Sequence, residues 1–154
     1  MDWNLNDLYP NINSKKISED FLKLEKRSIK FNKSFKNKIK NKSNPKVVHK
    51  AIVELEKIYE GLGKLSSYAS LNFAANTNNE KISQFYQSTS EKVSQIRKNL
   101  IFFFIDWNNI DSKNAKRISD TKILVKYKNL LESERKYKPY ILSESEEKIL
   151  DQKA

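Results

Sequence analysis

The sequence predicts an all-α chain built on a long antiparallel helical hairpin with shorter helices beside it. Three observations predict it. Gly occurs twice and Pro three times in 154 residues, which argues against a turn-dense β-sandwich or a Gly-rich phosphate loop. Two long stretches carry apolar residues at alternating spacings of three and four, the period of one helix face. The segments before and between them, Asn41-Lys42-Ser43-Asn44-Pro45 and Asn76-Thr77-Asn78-Asn79, are rich in Asn, a turn former and helix cap. The hydrophobic fraction is a modest 38%, yet two Trp, seven Tyr and eight Phe supply large core units for one domain of common size.

Residues 1–13 read as an extended lead-in, with Pro10 restricting Tyr9 to β or polyproline geometry. A first helix is expected from near Ser18 to about Lys40, with Glu19 and Asp20 in its first turn, where the macrodipole favours acids. Its stripe of Phe21, Leu24, Ser28, Phe31 and Phe35 reads as core-facing. Asn44 is a good N-cap, and Pro45 suits the first position of the next helix. That second helix carries Val48, Ile52, Leu55, Tyr59, Leu62, Ser66, Ala69 and Phe73 as one seam over roughly 30 residues, or about 45 Å. Gly61 and Gly63 lie inside it, each costing ~1 kcal/mol relative to Ala, which suggests close approach of another backbone or a bend.

A third long helix is expected through Ile82, Phe85, Thr89, Val93, Ile96, Leu100, Phe103 and Trp107, antiparallel to the second across the short Asn-rich loop. Within it, Leu100 to Ile105 is apolar on all sides and should be buried by other elements. Shorter helices are expected over Ser112 to Ile118 and over Ile123 to Leu131, the latter with Leu124, Tyr127 and Leu131 on one side. Pro139 then breaks the chain. Ser143 and Glu146 fit a capping box that opens a last helix holding Ile149 and Leu150. That helix stops at Ala154 soon after showing an apolar face, as if cut. The division expected is therefore a helical lobe over 1–142, with 143–154 starting a helix that leads onward.

The formal net charge is +11, and it is uneven. Residues 15–46 hold twelve Lys/Arg against Glu19, Asp20 and Glu25, so this stretch carries +9. A nucleic-acid or anionic-membrane footprint is one reading. The chain's many Asn and Lys favour a solvated face instead, and Arg, the better phosphate fork, appears only at 27, 97, 117 and 135. Residues 1–20 carry Asp2 and Asp7 and no apolar run, so a secretory leader is not expected. The longest apolar run is six residues, against roughly 20 for a membrane-spanning helix. A cytoplasmic protein is the expectation.

Catalytic chemistry finds few candidates. There is no Cys, which excludes a disulfide framework, a thiolate metal site and a cysteine nucleophile. A catalytic zinc site commonly takes three protein ligands, two of them His on one helix face. His49 is the one histidine, with no acid beside it, and reads as a helix-surface residue. The pairs Glu54/Glu56 and Glu146/Glu147 read as solvent-facing acids on helices. On composition alone the chain is not an enzyme.

Four separated blocks nevertheless resemble one family. The lead-in Trp3-Asn4-Leu5-Asn6-Asp7-Leu8-Tyr9-Pro10 is similar to the W-x-L-x-D-L-Y-P opening of oligoendopeptidase F, a zinc oligopeptidase of the thimet type. Leu62-Gly63-Lys64-Leu65-Ser66-Ser67-Tyr68-Ala69-Ser70-Leu71 resembles its L-G-x-L-x-S-Y-A-x-L block, which continues to Asn76, where an Asp is commoner. Leu100 to Trp107 resembles an aromatic-rich L-x-F-F-x-x-x-W stretch. Tyr137-Lys138-Pro139-Tyr140-Ile141-Leu142-Ser143-Glu144-Ser145-Glu146-Glu147-Lys148-Ile149-Leu150 resembles Y-K-P-H-x-L-S-E-x-E-E-K-I-L, with Tyr140 in place of the usual His.

The resemblance implies the N-terminal lobe of a larger, mostly helical, cytoplasmic zinc endopeptidase that cuts medium-length peptides. In that family the HExxH zinc helix and the third, glutamate ligand fall downstream of the region matched here. No catalytic or metal-binding residue is carried onto this chain, and zinc is implied for the full-length parent alone. The implied partners are the catalytic domain of the same protein and peptide substrates, with no membrane. The lobe would wall one side of the substrate cleft and close over bound peptide. Tyr68 and Tyr140 are the candidate cleft-facing hydroxyls, against the alternative of buried, hydrogen-bonded tyrosines. Two other readings are a basic helical nucleic-acid-binding module and a helical adaptor that docks a partner through its aromatic patch.

Overall fold

The computed structural model describes residues 8–136. Tyr140, the Pro139 break, the capping box at Ser143, the last helix and the division at 142 lie outside the described residues. Within them the chain is all-α, with no strand. Helices α1 (Lys15–Phe35), α2 (Pro45–Ala75) and α3 (Glu80–Arg97) pack on one another as a three-helix bundle, with α2 and α3 as the hairpin. Helices α4 (Ile101–Asn109), α5 (Ser112–Ser119) and α6 (Lys128–Lys136) follow, with a 3-10 segment (Lys122–Tyr127) between the last two. The 3-10 segment and α5 pack on α2, while α4 packs on α6.

Polar caps define the starts of α1, α2, α3 and α5. Asn44 Oδ1 accepts from the Lys46 backbone N–H at 2.9 Å, and Pro45 takes the first position, as the sequence predicts. Asn79 Oδ1 caps α3 at the Ile82 N–H (3.2 Å), and Asp111 Oδ1 caps α5 at the Asn114 N–H (2.8 Å). The first helix departs from expectation at both ends. Ser14 is its N-cap, accepting from the Lys16 N–H at 3.3 Å, so the helix begins one turn before Ser18. It ends at Phe35 instead of Lys40: Lys36 already leaves helical geometry (φ −59°, ψ 131°), and Asn37 follows it in a left-handed conformation with φ 64°. Asn tolerates that conformation better than most non-glycine residues. The turn tucks Ile39 into the core, 3% exposed.

The core stripe of α1 is as predicted, with Phe21, Leu24, Ser28, Phe31 and Phe35 all buried. The seam of α2 is wider than predicted. Ile58 and Leu65 are fully buried, whereas Tyr59 and Ser66 are only half-buried, as is Phe73 near the hairpin tip. Gly61 explains itself by contact. A Cβ there would lie 2.6 Å from Leu24 Cδ2, so the close neighbour is a side chain of α1 and not a backbone. At Gly63 nothing lies within 4 Å of the corresponding position, so close approach does not account for it.

The predicted third helix is interrupted at Lys98–Leu100, which separates α3 from α4. Asn99 is captured sideways by α1: Asn32 Nδ2 donates to its carbonyl at 3.1 Å, and its own Nδ2 donates to Ser28 Oγ at 3.1 Å. Backbone bonds at the junction shorten to the i→i−3 type, Asn99 N–H to Ile96 C=O and Leu100 N–H to Arg97 C=O. The turn redirects the apolar run, so that Leu100, Phe102 and Phe103 are wholly buried and Phe31 of α1 lies 5.4 Å from the Phe102 ring. Trp107 is buried as well, and its Nε1 donates to the Leu131 carbonyl at 2.9 Å.

Candidate functional site

Tyr68, one of the two residues proposed to face a cleft, sits on α2 with 3% exposure. Its ring meets Tyr9 edge-on at 5.0 Å and Phe85 of α3 at 6.0 Å. Tyr9 in turn donates its hydroxyl to Asp20 Oδ2 at 2.6 Å, and Lys64 Nζ lies 4.9 Å from its ring centroid. Burial first, and then the hydrogen bond to Asp20, push the Tyr9 phenol pKa far above its ordinary value. Burial opposes ionisation of Asp20. The hydrogen bonds from Tyr9 and Lys16, with the charges of Lys16 and Lys64, outweigh it and hold the carboxyl below its usual range.

The remaining sequence candidates stand apart. His49 is half-buried, its ring 6.1 Å from that of Tyr127. Glu54 is clamped by Arg27 in a two-pronged pair, Nε to Oε1 at 2.9 Å and Nη2 to Oε2 at 3.0 Å. Glu56 faces Tyr127 and Lys126. Glu146 and Glu147 lie outside the described residues. Among the described residues no three His, Asp or Glu side chains converge as a metal site would need.

Packing of α1 on α2 builds a feature that neither helix shows alone. Two adjoining cavities of about 590 and 460 Å³ run along the line between them and share Arg27 and Lys57. Helix α1 lines this groove with Lys23, Lys26, Arg27 and Lys30, and α2 with Lys50, Lys57 and Lys64. The carboxylates in the same lining are Asp20 and Glu54. Asp20 is held by Tyr9 and Lys16, and Glu54 by Arg27. Lys23, Lys26, Lys30, Lys50 and Lys57 have no carboxylate within 4 Å among the described residues.

Inspection of the first helix alone misses this groove, because its lysines surround it. The available signal is a repeat across both helices. Lys16, Lys23 and Lys30, and again Lys50, Lys57 and Lys64, recur every seven residues. Seven residues is nearly two turns, so each set keeps to one side of its helix.

The described residues thus define a helical lobe whose aromatic and tyrosyl side chains are largely built into its core. Residues 107–154 match a family model described as Oligopeptidase F, the N-terminal model of the M3 peptidases. That match supports the chain as the N-terminal region of an oligoendopeptidase F-type peptidase. No curated protein and no solved structure gives a significant match. Among the described residues no helix is long and apolar enough to cross a membrane.

Proposed function

We propose that this chain serves as the non-catalytic N-terminal lobe of a zinc metallo-oligoendopeptidase, walling the substrate cleft and closing over medium-length peptides. The observation that carries the reading is the family match over 107–154, taken with where the resembling residues lie. Tyr9 from the first block meets Tyr68 from the second in the interior. Leu100, Phe103 and Trp107 from the third are fully buried. Residues used in this way set a shape and do not perform chemistry. A lobe of this kind acts by excluding large substrates and by ordering bound peptide as water leaves the cleft. Zinc, its ligands and the general base belong in this reading to the catalytic domain, the lobe's principal partner. The cytoplasm is the expected compartment.

The test is complementation. The chain is assayed with zinc against a quenched fluorescent peptide, alone and with the downstream catalytic portion supplied in trans. The reading expects no chelator-sensitive cleavage by the chain alone and a rise in activity when both parts are mixed. Robust cleavage by the chain alone would contradict it.

A further inference from the structure

We propose that the groove between α1 and α2 binds an acidic peptide segment in extended conformation. Seven cations line it against two carboxylates, and both carboxylates are already engaged within the fold. The result is a groove with a net excess of five positive charges, a field that attracts anions. From Lys50 to Lys64 the groove follows α2 for about 21 Å at 1.5 Å per residue. An extended chain of about six residues, at ~3.3 Å each, spans that length.

The chemistry of the lining favours a polypeptide over a nucleic acid. Six of the seven cations are Lys, and the single guanidinium, Arg27, is occupied by Glu54. Of the aromatic rings in the lining, Phe31 and Phe35 are 1% and 8% exposed and His49 is half-buried beside Tyr127, so none offers a fully open face on which a base can stack. Half-buried Val53 and the lysine stems give a partly apolar floor that suits the side chains between a peptide's carboxylates. The proposal stands on this groove and does not depend on the peptidase reading.

The test is fluorescence anisotropy on the whole chain, using a fluorescein-labelled eight-residue peptide that alternates glutamate and leucine. Saturable binding is expected at low salt, weakening as the Debye length shrinks. The double variant Lys30→Glu with Lys57→Glu is expected to weaken it about tenfold or more. Lys30→Gln with Lys57→Gln, which removes charge without adding any, should weaken it less but in the same direction. The same charge reversal on α5, Lys113→Glu with Lys116→Glu, should change it by less than about threefold. Circular dichroism confirms that each variant is folded. Equal weakening by the α1–α2 and α5 reversals overturns the site, since net charge alone then explains binding. So does tighter binding of a twelve-nucleotide oligothymidylate than of the peptide at equal salt, or no peptide binding at low salt.

Discussion

Tyr9 and Tyr68 meet edge to face, their ring centroids 5.0 Å apart and their planes at 74°, with the Tyr9 hydroxyl 2.6 Å from Asp20 Oδ2. One side chain thereby ties the N-terminal lead-in to both α1 and α2. Tyr9→Phe keeps the ring contact and deletes the hydrogen bond to a carboxylate. The expected loss is about 1–2 kcal/mol, read as a lower urea midpoint with an unchanged slope. An unchanged midpoint would mean that Asp20 takes an equivalent donor.

The Tyr9–Asp20 hydrogen bond contributes to both limbs of the stability–pH curve. The folded phenol pKa lies above its unfolded value near 10, so this contribution is complete below about pH 10 and fades as pH rises beyond it. The folded Asp20 pKa lies below the unfolded value of about 3.9. Its contribution is therefore complete above that value and is lost as pH falls through the folded one. Urea midpoints measured from pH 3 to 11 should fall at both ends, and Tyr9→Phe should flatten the alkaline limb.

Trp107 joins α4 to α6, donating to the Leu131 carbonyl at 2.9 Å while the Arg135 guanidinium lies 5.6 Å from its ring centroid. Arg135 also donates to the Trp107 carbonyl at 2.8 Å. Trp107→Phe leaves the buried Leu131 carbonyl without that donor and opens space in the core. The expected cost is about 2–4 kcal/mol, measured by urea unfolding followed by circular dichroism.

Local chemistry was legible in the sequence at several places where one helix alone decides the outcome, though not at the equally local Ser14 cap. The Asn44 cap, Pro45 at the helix start and the Phe21-to-Phe35 stripe all follow from spacing and side-chain type. What was not legible depends on a neighbour. The break after Arg97 needs Ser28 and Asn32, some 70 residues away, to hold Asn99. The shift of the α2 seam to Ile58 and Leu65 reflects α2 being wrapped by α1, α3, α5 and the 3-10 segment, which buries a face wider than one stripe. The cationic groove likewise appears only when α1 and α2 lie side by side.

The α3–α4 junction is testable through its two anchors. Asn32→Ala frees the Asn99 carbonyl, and Asn99→Ala removes the donor to Ser28. Each should cost about 1 kcal/mol. Because both act on one turn, the double variant should cost less than the sum of the two. Hydrogen exchange should quicken first at the Asn99 and Leu100 amides. Exchange that quickens uniformly along α3 would instead show that the junction has no separate stability.

The two glycines of α2 give opposite expectations from the same substitution. Each Gly→Ala gains up to ~1 kcal/mol of helix propensity. At Gly63 nothing lies within 4 Å of the added Cβ, so the gain is free of any packing cost. Gly63→Ala should raise Tm by about 2–4 °C for a chain of this size. At Gly61 the new methyl would stand 2.6 Å from Leu24 Cδ2, and Leu24 is itself buried with 6% exposure. Leu24 must rotate or α1 must move outward, so the propensity gain is offset and Tm should stay level or fall. Pairing Gly61→Ala with Leu24→Val, which shortens the opposing side chain, should recover part of that loss. If Gly61→Ala alone raises Tm as much as Gly63→Ala, then α1 does not press on α2 at this point.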